Sequence, residues 1–232
     1  MRLSIIIPVY NEEQTIRAVV ERIRAVDLGE IEKEIIVAND GSNDGTQHAI
    51  EALPNDGSTP LRILESPINL GKGAAMRLGM KYATGDVILI QDADLELDPG
   101  EYGALLEPIL RGENVVYGSR FLRKVPGIPR RTRLANRLLT WMTNVLFLSR
   151  LTDMETGYKV FRREVLTKIR LRTVGFDIEP ELTAKLLLAG YRIVEVPITY
   201  NPRRRDEGKK IRWVDGLDAA FILLKIRLTG GR

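Results

Sequence analysis

A series of short apolar runs most narrows what this chain can fold into: Leu3 to Val9, Ile35 to Ala38, Leu61 to Leu64, Val87 to Ile90, Val115 to Tyr117 and Ile193 to Ile198. Each is near-continuous rather than alternating, the pattern of strands covered on both faces. Helical patterns alternate with them: Ile16, Val19, Val20 and Ile23 share one face, and Leu105, Leu106, Ile109 and Leu110 another. The first two-thirds therefore reads β-α-β-α-β-α-β, which predicts an α/β fold with a mostly parallel sheet flanked by helices. Ligands of such sheets collect at the carboxyl ends of the strands. Pro8-Val9-Tyr10-Asn11-Glu12, Asn39-Asp40-Gly41-Ser42 and Asp92-Ala93-Asp94 all fall there.

The run Val87 to Ile90 opens into Asp92-Ala93-Asp94-Leu95-Glu96, three carboxylates at alternating positions. Carboxylate oxygens are hard ligands for Mg²⁺ or Mn²⁺, and two or three of them plus substrate phosphates hold a divalent ion on a diphosphate. The expected substrate is a phosphate ester such as a nucleotide. A solvated acidic turn is the plainer alternative.

Composition removes other chemistries. There is no cysteine, and His48 is the single histidine, which excludes disulfides, thiolate or histidine zinc sites and a cysteine nucleophile. His48 reads as an ordinary helical residue. With 232 residues, the chain buries roughly 70% of its unfolded surface and suits one α/β domain, alone or with a small appendage. The apolar N-terminal run is too short for a signal sequence and reads as a first strand ended by Pro8, so the expected location is the cytoplasm. No stretch of about 18 uncharged apolar residues occurs. The net charge is only +4, but Arg120, Arg123, Lys124, Arg130, Arg131, Arg133, Arg137 and Arg150 fall between Glu113 and Asp153 with no acidic residue among them. A second basic cluster joins Arg203-Arg204-Arg205 to Lys209, Lys210 and Arg212. Such clusters imply an anionic partner. Nucleic acid is disfavoured, because no binding motif accompanies the charge and aromatics are few.

After Phe121 the pattern changes. Residues 122–131 read as a loop, and Thr132 to Leu148 as a helix apolar nearly all round, by default a core helix, with a surface helix touching a membrane or lipid tail as the alternative. The last helix, Trp213 to Leu228, carries Trp213, Leu217, Phe221, Leu224 and Leu228 on one stripe, which is expected to dock on the domain, with Lys225 and Arg227 leaving room for membrane contact. Asn69-Leu70-Gly71-Lys72-Gly73 fits neither a P-loop nor a dinucleotide fingerprint, having Ser66 where the first glycine of a P-loop belongs and Met76 where a third dinucleotide glycine belongs. It still sets a lysine and flexible backbone before a helix N-terminus, a place suited to phosphate.

Taken in order, Ile6-Ile7-Pro8-Val9-Tyr10-Asn11-Glu12-Glu13, Asp40-Gly41-Ser42-Asn43-Asp44-Gly45-Thr46, Asn69 to Gly73, Gln91-Asp92-Ala93-Asp94-Leu95-Glu96, Gly118-Ser119-Arg120-Phe121, Thr156-Gly157-Tyr158-Lys159 and Glu207-Gly208-Lys209-Lys210-Ile211 resemble the inverting nucleotide-sugar glycosyltransferases of the GT-A type, family 2. The similarity is to the branch of dolichol-phosphate mannose synthase and bacterial polyprenyl-phosphate glycosyltransferases. It extends over nearly the whole chain and implies one GT-A domain, residues 1–121 binding the nucleotide sugar and 122–232 the acceptor. By this resemblance Pro8, Tyr10, Glu12 and Asp40 line the base and ribose. Asp92, Asp94 and Glu96 surround the metal, with Ala93 between them against the donor. Family members often carry Asp or Gln in place of Glu96. Arg120 steadies the diphosphate or acceptor phosphate, helped by Lys72. Arg203 with Lys209 and Lys210 matches a basic loop closing over the diphosphate, in which Arg204 is an alternative to Arg203. Asp94, Arg120 and Lys210 are the expected catalytic residues. Many members have two aspartates where this chain has Asn39-Asp40, which leaves the donor base open.

Breaking a sugar–phosphate bond releases a nucleoside diphosphate, whose growing charge the metal, arginine and lysine neutralise. A phosphate acceptor needs no general base, whereas a sugar hydroxyl needs a carboxylate, for which Asp153, Glu155, Glu179 and Glu181 are the candidates. The acid-free arginine span favours a phosphate acceptor, with Arg130, Arg131 and Arg133 as its candidate ligands. The reading is metal-dependent hexose transfer from a nucleoside diphosphate sugar to a polyprenyl phosphate, by a protein peripheral at the inner face of the cell membrane. Transfer to a saccharide hydroxyl of a surface polymer, and a non-catalytic nucleotide-sugar or anionic-lipid binding module, are the alternatives.

Overall fold

A computed structural model of the chain describes residues 1–54, 57, 59–123, 125, 127–203 and 213–231, with side chains of the last helix from residue 215 onward. The elements are β1 (Arg2–Val9), α1 (Ile16–Ala25), β2 (Glu32–Asn39), α2 (Thr46–Glu51), β3 (Leu61–Glu65), α3 (Lys72–Tyr82), β4 (Val87–Ile90), α4 (Tyr102–Leu110), β5 (Val115–Ser119), α5 (Arg130–Phe147), β6 (Lys159–Arg162), α6 (Ile178–Leu188), β7 (Ile193–Pro197) and α7 (Trp213–Thr229).

The sheet has the order β3-β2-β1-β4-β6-β5-β7. All neighbouring strands are parallel except β6, which runs against both β4 and β5. The chain leaves β1 toward β2 and β3, then crosses back to β4 on the other side of β1. That places the carboxyl ends of β1 and β4 at a topological switch point, where such sheets open a crevice.

Burial follows the apolar pattern. Leu3, Ile5 and Ile7 of β1 pack with Ile16, Val19, Val20 and Ile23 of α1 and with Leu105, Leu106 and Ile109 of α4 on one face. Ile6, Ile36, Ile88 and Ile90 pack with Met76 and Met80 of α3 and Ile178, Leu182 and Leu186 of α6 on the other. Each such side chain, fully buried, contributes roughly 1.5–3 kcal/mol.

Four expectations are corrected. β6 has no long apolar run, since its short Val-Phe pair lies between Lys159 and Arg162, and only pairing with β4 and β5 makes it a strand. Pro8 does not end β1: it is buried opposite Ala38, and the strand continues to Val9. β3 is an edge strand whose Arg62 and Ile63 are exposed, because the covering layers stop short of it.

The largest correction concerns α5 and α7. Only Thr140 and Thr143 of α5 are fully buried, while Leu134, Leu138, Trp141 and Val145 stand out of the fold, Trp141 by 60%. On α7 the stripe Leu217, Phe221, Leu224 and Leu228 is exposed, Phe221 by 66%, and the opposite face docks instead. Ala219, Ile222, Leu223 and Ile226 are buried there, the last three packed with Leu139, Met142 and Leu146 of α5 and Ala184 of α6. Both faces of α7 are apolar, and the one bearing the small Ala219 lies against the fold.

Candidate active site

The loops after β1, β2, β4 and β5 converge at the carboxyl edge of the sheet. The acidic turn after β4 is fixed from beneath by Gln91. Its side-chain oxygen accepts hydrogen bonds from the Tyr102 and Tyr158 hydroxyls, both at 2.8 Å, and its amide donates to the Asp92 carbonyl at 3.0 Å. Gly157 lies so close to Asp92 that a Cβ there would overlap its carboxylate and push it aside. The Ala93 carbonyl accepts from the Thr15 hydroxyl at 2.9 Å, which ties the turn to the start of α1.

The three turn carboxylates have different partners. Asp92 Oδ1 pairs with Lys72 Nζ at 2.7 Å. Asp94 Oδ1 accepts the Glu96 amide at 3.1 Å, and its Oδ2 lies 3.4 Å from the Arg203 guanidinium. Glu96 accepts the Tyr200 hydroxyl and the Arg203 amide, both at 2.7 Å. Its carboxylate anchors the segment after β7. Among the described residues no three carboxylates or imidazoles form a ready metal cage. An ion held by one or two carboxylates and the substrate's phosphates needs none. Asp94, with Asp92 beside it, is a hard-oxygen set that fits Mg²⁺ or Mn²⁺.

Glu12 and Asp40 were expected to face a nucleotide. Glu12 lies at the crevice, paired with Arg203. Asp40 is buried, and its two oxygens accept the amides of Leu70 at 2.9 Å and Gly71 at 2.7 Å. Its carboxylate therefore holds the loop before α3, and burial raises its pKa against those two hydrogen bonds. Pro8 is buried near the carboxyl end of β1. Tyr10 follows it, half-buried.

Arg120 follows β5. Its Nε and Nη2 meet Asp153 at 2.7 and 2.8 Å, Nη2 also donates to the Glu155 carbonyl at 2.9 Å, and the guanidinium lies 5.1 Å from the Tyr200 ring centre. Asp153 is held in turn by Glu195 of β7, whose carboxylate accepts the amides of Thr152 and Asp153. Arg120, expected to steady the diphosphate or acceptor phosphate, is thus a cation paired within the fold. Arg130 and Arg131 are exposed on the first turn of α5, and Arg133 is half-buried beside the Val125 carbonyl. Arg204, Lys209 and Lys210 lie outside the described residues.

The four candidate bases also separate. Asp153 is engaged by Arg120. Glu181 accepts from the Arg172 and Thr173 amides and pairs with Lys185. Glu179 is buried, yet Lys159 and Lys72 hold it down at about 2. Glu155 Oε1 and Glu179 Oε1 are both buried without a hydrogen-bond partner, but Glu179 Oε1 is ion-paired to Lys72, and burial pushes the Glu155 carboxyl up to about 7. Sequence reasoning assigned no role to Tyr200, Thr15 or Gln91. Tyr200 has no local signal, because its partner Glu96 is distant in sequence, and neither does the contact of Thr15 with Ala93, whereas Gln91 directly precedes the acidic turn.

The sequence model described as glycosyl transferase family 2 matches residues 4–170. The dolichol-phosphate mannosyltransferase of Pyrococcus furiosus is 31% identical over 214 residues, 90% of this chain and 59% of that protein. The polyprenol monophosphomannose synthase of Mycolicibacterium smegmatis is 30% identical over 213 residues, 87% of this chain and 78% of that one. The dodecaprenyl-phosphate galacturonate synthase of Rhizobium johnstonii is 29% identical over 218 residues, 90% of this chain and 62% of its own length. This chain therefore spans about three-fifths of two of these relatives. Among solved structures, glucosyl-3-phosphoglycerate synthase from Mycobacterium tuberculosis with Mn²⁺, uridine diphosphate and phosphoglyceric acid superposes with a TM-score of 0.72 at 23% identity, over 98% of this chain and 78% of that one. The shared fold is the GT-A type.

Proposed function

The chain belongs to glycosyl transferase family 2, and from that premise we propose that it transfers a hexose, with inversion, from a nucleoside diphosphate sugar to a polyprenyl phosphate, using Mg²⁺ or Mn²⁺. The observation that carries the reading is the convergence of Asp92, Asp94 and Glu12 with Lys72 and Arg203 at the switch point. Carboxylates for a cation and cations for a diphosphate meet there within one crevice. When bound, the metal supplies charge neutralisation of the departing diphosphate. Asp94 and Asp92 are the residues to hold it. Lys72 and Arg203 add positive charge beside the leaving group, which lowers the barrier to departure.

The acceptor follows from two supports. The names of the three relatives above all contain a polyprenyl-type phosphate or alcohol, and a phosphate acceptor, already anionic, makes no demand for a base. Asp153, Glu179 and Glu181 are engaged by cations and would serve poorly as one. The exposed apolar stripes of α5 and α7, bordered by exposed Arg130, Arg131, Arg137, Lys225 and Arg227, suit a peripheral position on an anionic membrane face. That face is proposed to be the cytoplasmic one. No helix among the described residues is long and apolar enough to cross a membrane.

A saccharide hydroxyl acceptor is the second reading, favoured by the unpartnered, raised carboxyl of Glu155. One transfer assay separates the two: purified protein, Mg²⁺ or Mn²⁺, a panel of radiolabelled nucleotide sugars and a polyprenyl phosphate in detergent. Label moving into the organic phase with one donor is the expected result. Nucleotide-sugar binding with no label there would shift the assignment to a hydroxyl acceptor and to Glu155. Binding with no transfer to either acceptor class would leave a binding module.

A further inference from the structure

Glu179 stands on the first turn of α6, and its carboxylate joins two lysines from separate parts of the fold. Oε1 lies 2.8 Å from Lys72 Nζ at the start of α3, and Oε2 pairs with Lys159 Nζ at the start of β6. Lys72 Nζ continues to Asp92 Oδ1 at 2.7 Å. Lys159 is fully buried, donates to the Thr156 carbonyl at 2.6 Å and lies 4.9 Å from the Tyr117 ring centre. The chain Lys159, Glu179, Lys72, Asp92 alternates in sign and runs from the interior to the acidic turn. Its inner members are shielded from water, so loss of any one strands an uncompensated charge.

We propose that Glu179 is a positioning residue for the sugar donor: it sets the Lys72 ammonium against the acidic turn, while Lys159 cancels the charge of Glu179. The inference rests on the donor reading above. A lysine ammonium sits on a flexible four-carbon stem and does not hold one position unaided. Held between two carboxylates, by a hydrogen bond to Asp92 and an ion pair with Glu179, the Lys72 ammonium keeps N–H capacity for a phosphate oxygen. Without Lys159 the Glu179–Lys72 pair would be neutral. With it, the trio presents one net positive charge toward Asp92 and the diphosphate. This also explains why α6 sends a buried carboxylate toward a site that binds anions.

Titration calorimetry with Mn²⁺·UDP and Mn²⁺·GDP tests the proposal without relying on turnover. Wild type, Glu179→Gln, Lys72→Met and the double variant form a cycle. Glu179→Gln is expected to weaken the preferred nucleotide about tenfold. In the Lys72→Met background the same change is expected to cost about twofold or less, because Glu179 acts through Lys72. Equal losses in both backgrounds, or no loss in either, overturn the positioning role. Glu179→Asp keeps the charge and shortens the reach, and is expected to be folded by circular dichroism with weakened nucleotide binding. It carries the test if Glu179→Gln does not fold, and wild-type affinity in it would overturn the role. A wild type that binds neither nucleotide overturns the donor reading and this inference together, whereas a wild type that binds beside unaffected variants overturns this inference alone.

Discussion

The Arg203 guanidinium lies across the Glu12 carboxylate, Nη1 3.1 Å from Oε1 and Nη2 2.8 Å from Oε2, although the two residues are 191 positions apart. The same Nη2 is 3.4 Å from Asp94 Oδ2. The segment after β7 therefore reaches back over the first loop of the fold and places a cation where the donor diphosphate is proposed to sit. Replacing Arg203 with Gln removes that cation and leaves Glu12 and Asp94 facing each other. The donor KM should rise about tenfold, with acceptor KM little changed. Steady-state kinetics with donor varied at saturating acceptor will read this, and an unchanged donor KM would remove Arg203 from the donor site.

Asp94 is the turn carboxylate with the weakest internal partner, a 3.4 Å approach by Arg203 at Oδ2. As the surest proposed metal contact, it should be indispensable: Asp94→Asn is expected to lower kcat by at least about 100-fold. A manganese-binding isotherm should show weakened affinity in the same variant. Full turnover in Asp94→Asn would place the metal elsewhere.

The Arg120–Asp153 pair is buried, with Asp153 wholly inaccessible and Arg120 only 11% exposed at its side chain. Removing one partner leaves the other charged in a nonpolar setting. Asp153→Asn should therefore destabilise the fold by roughly 3–5 kcal/mol, seen as a lower urea midpoint with unchanged slope. A loss below about 1 kcal/mol would mean that Arg120 finds water or another acceptor.

Trp141 and Leu138 lie on the exposed stripe of α5 and make no part of the core. Replacing both with Asp should leave nucleotide binding and thermal stability near wild type. Co-sedimentation with vesicles containing anionic phosphatidylglycerol should fall about tenfold or more, since buried apolar area and attraction to the membrane charge are both reduced. Equal sedimentation of variant and wild type would rule this stripe out as the membrane contact.

Burial raises the Glu155 carboxyl to about 7 in the fold. A carboxyl raised on folding favours the protonated native state. Its stabilising contribution is complete below the unfolded value near 4.5 and is lost as pH rises through about 7. Urea midpoints of wild type should accordingly decline between those limits relative to Glu155→Gln, which cannot ionise. Activity of the same variant separates the acceptors. Turnover within about tenfold of wild type fits a phosphate acceptor, and a loss of about 100-fold or more fits a base for a hydroxyl.

Six strands and the alternating helices could be read from apolar periodicity, because a strand buried on both faces must be apolar throughout and a helix docked on a sheet must carry one apolar stripe. The same logic put Glu12, Asp40 and the Asp92 to Glu96 turn at one edge of the sheet, since parallel strands present their carboxyl ends together. Periodicity could not choose a face for α7, which has apolar residues on two sides. The docking of Ala219, Ile222, Leu223 and Ile226 was decided by the shape of α5 and α6. Nor could it find β6, whose strand state exists only through its neighbours. The partners of charged groups were decided by tertiary structure alone. Asp40 closes on Leu70 and Gly71, Glu96 on Tyr200, and Glu179 on Lys72 and Lys159. A carboxylate's chemical type is written in the sequence, but whether it faces a ligand or an internal cation depends on distances of a few ångströms between residues far apart in the chain. Only the packed fold sets those distances.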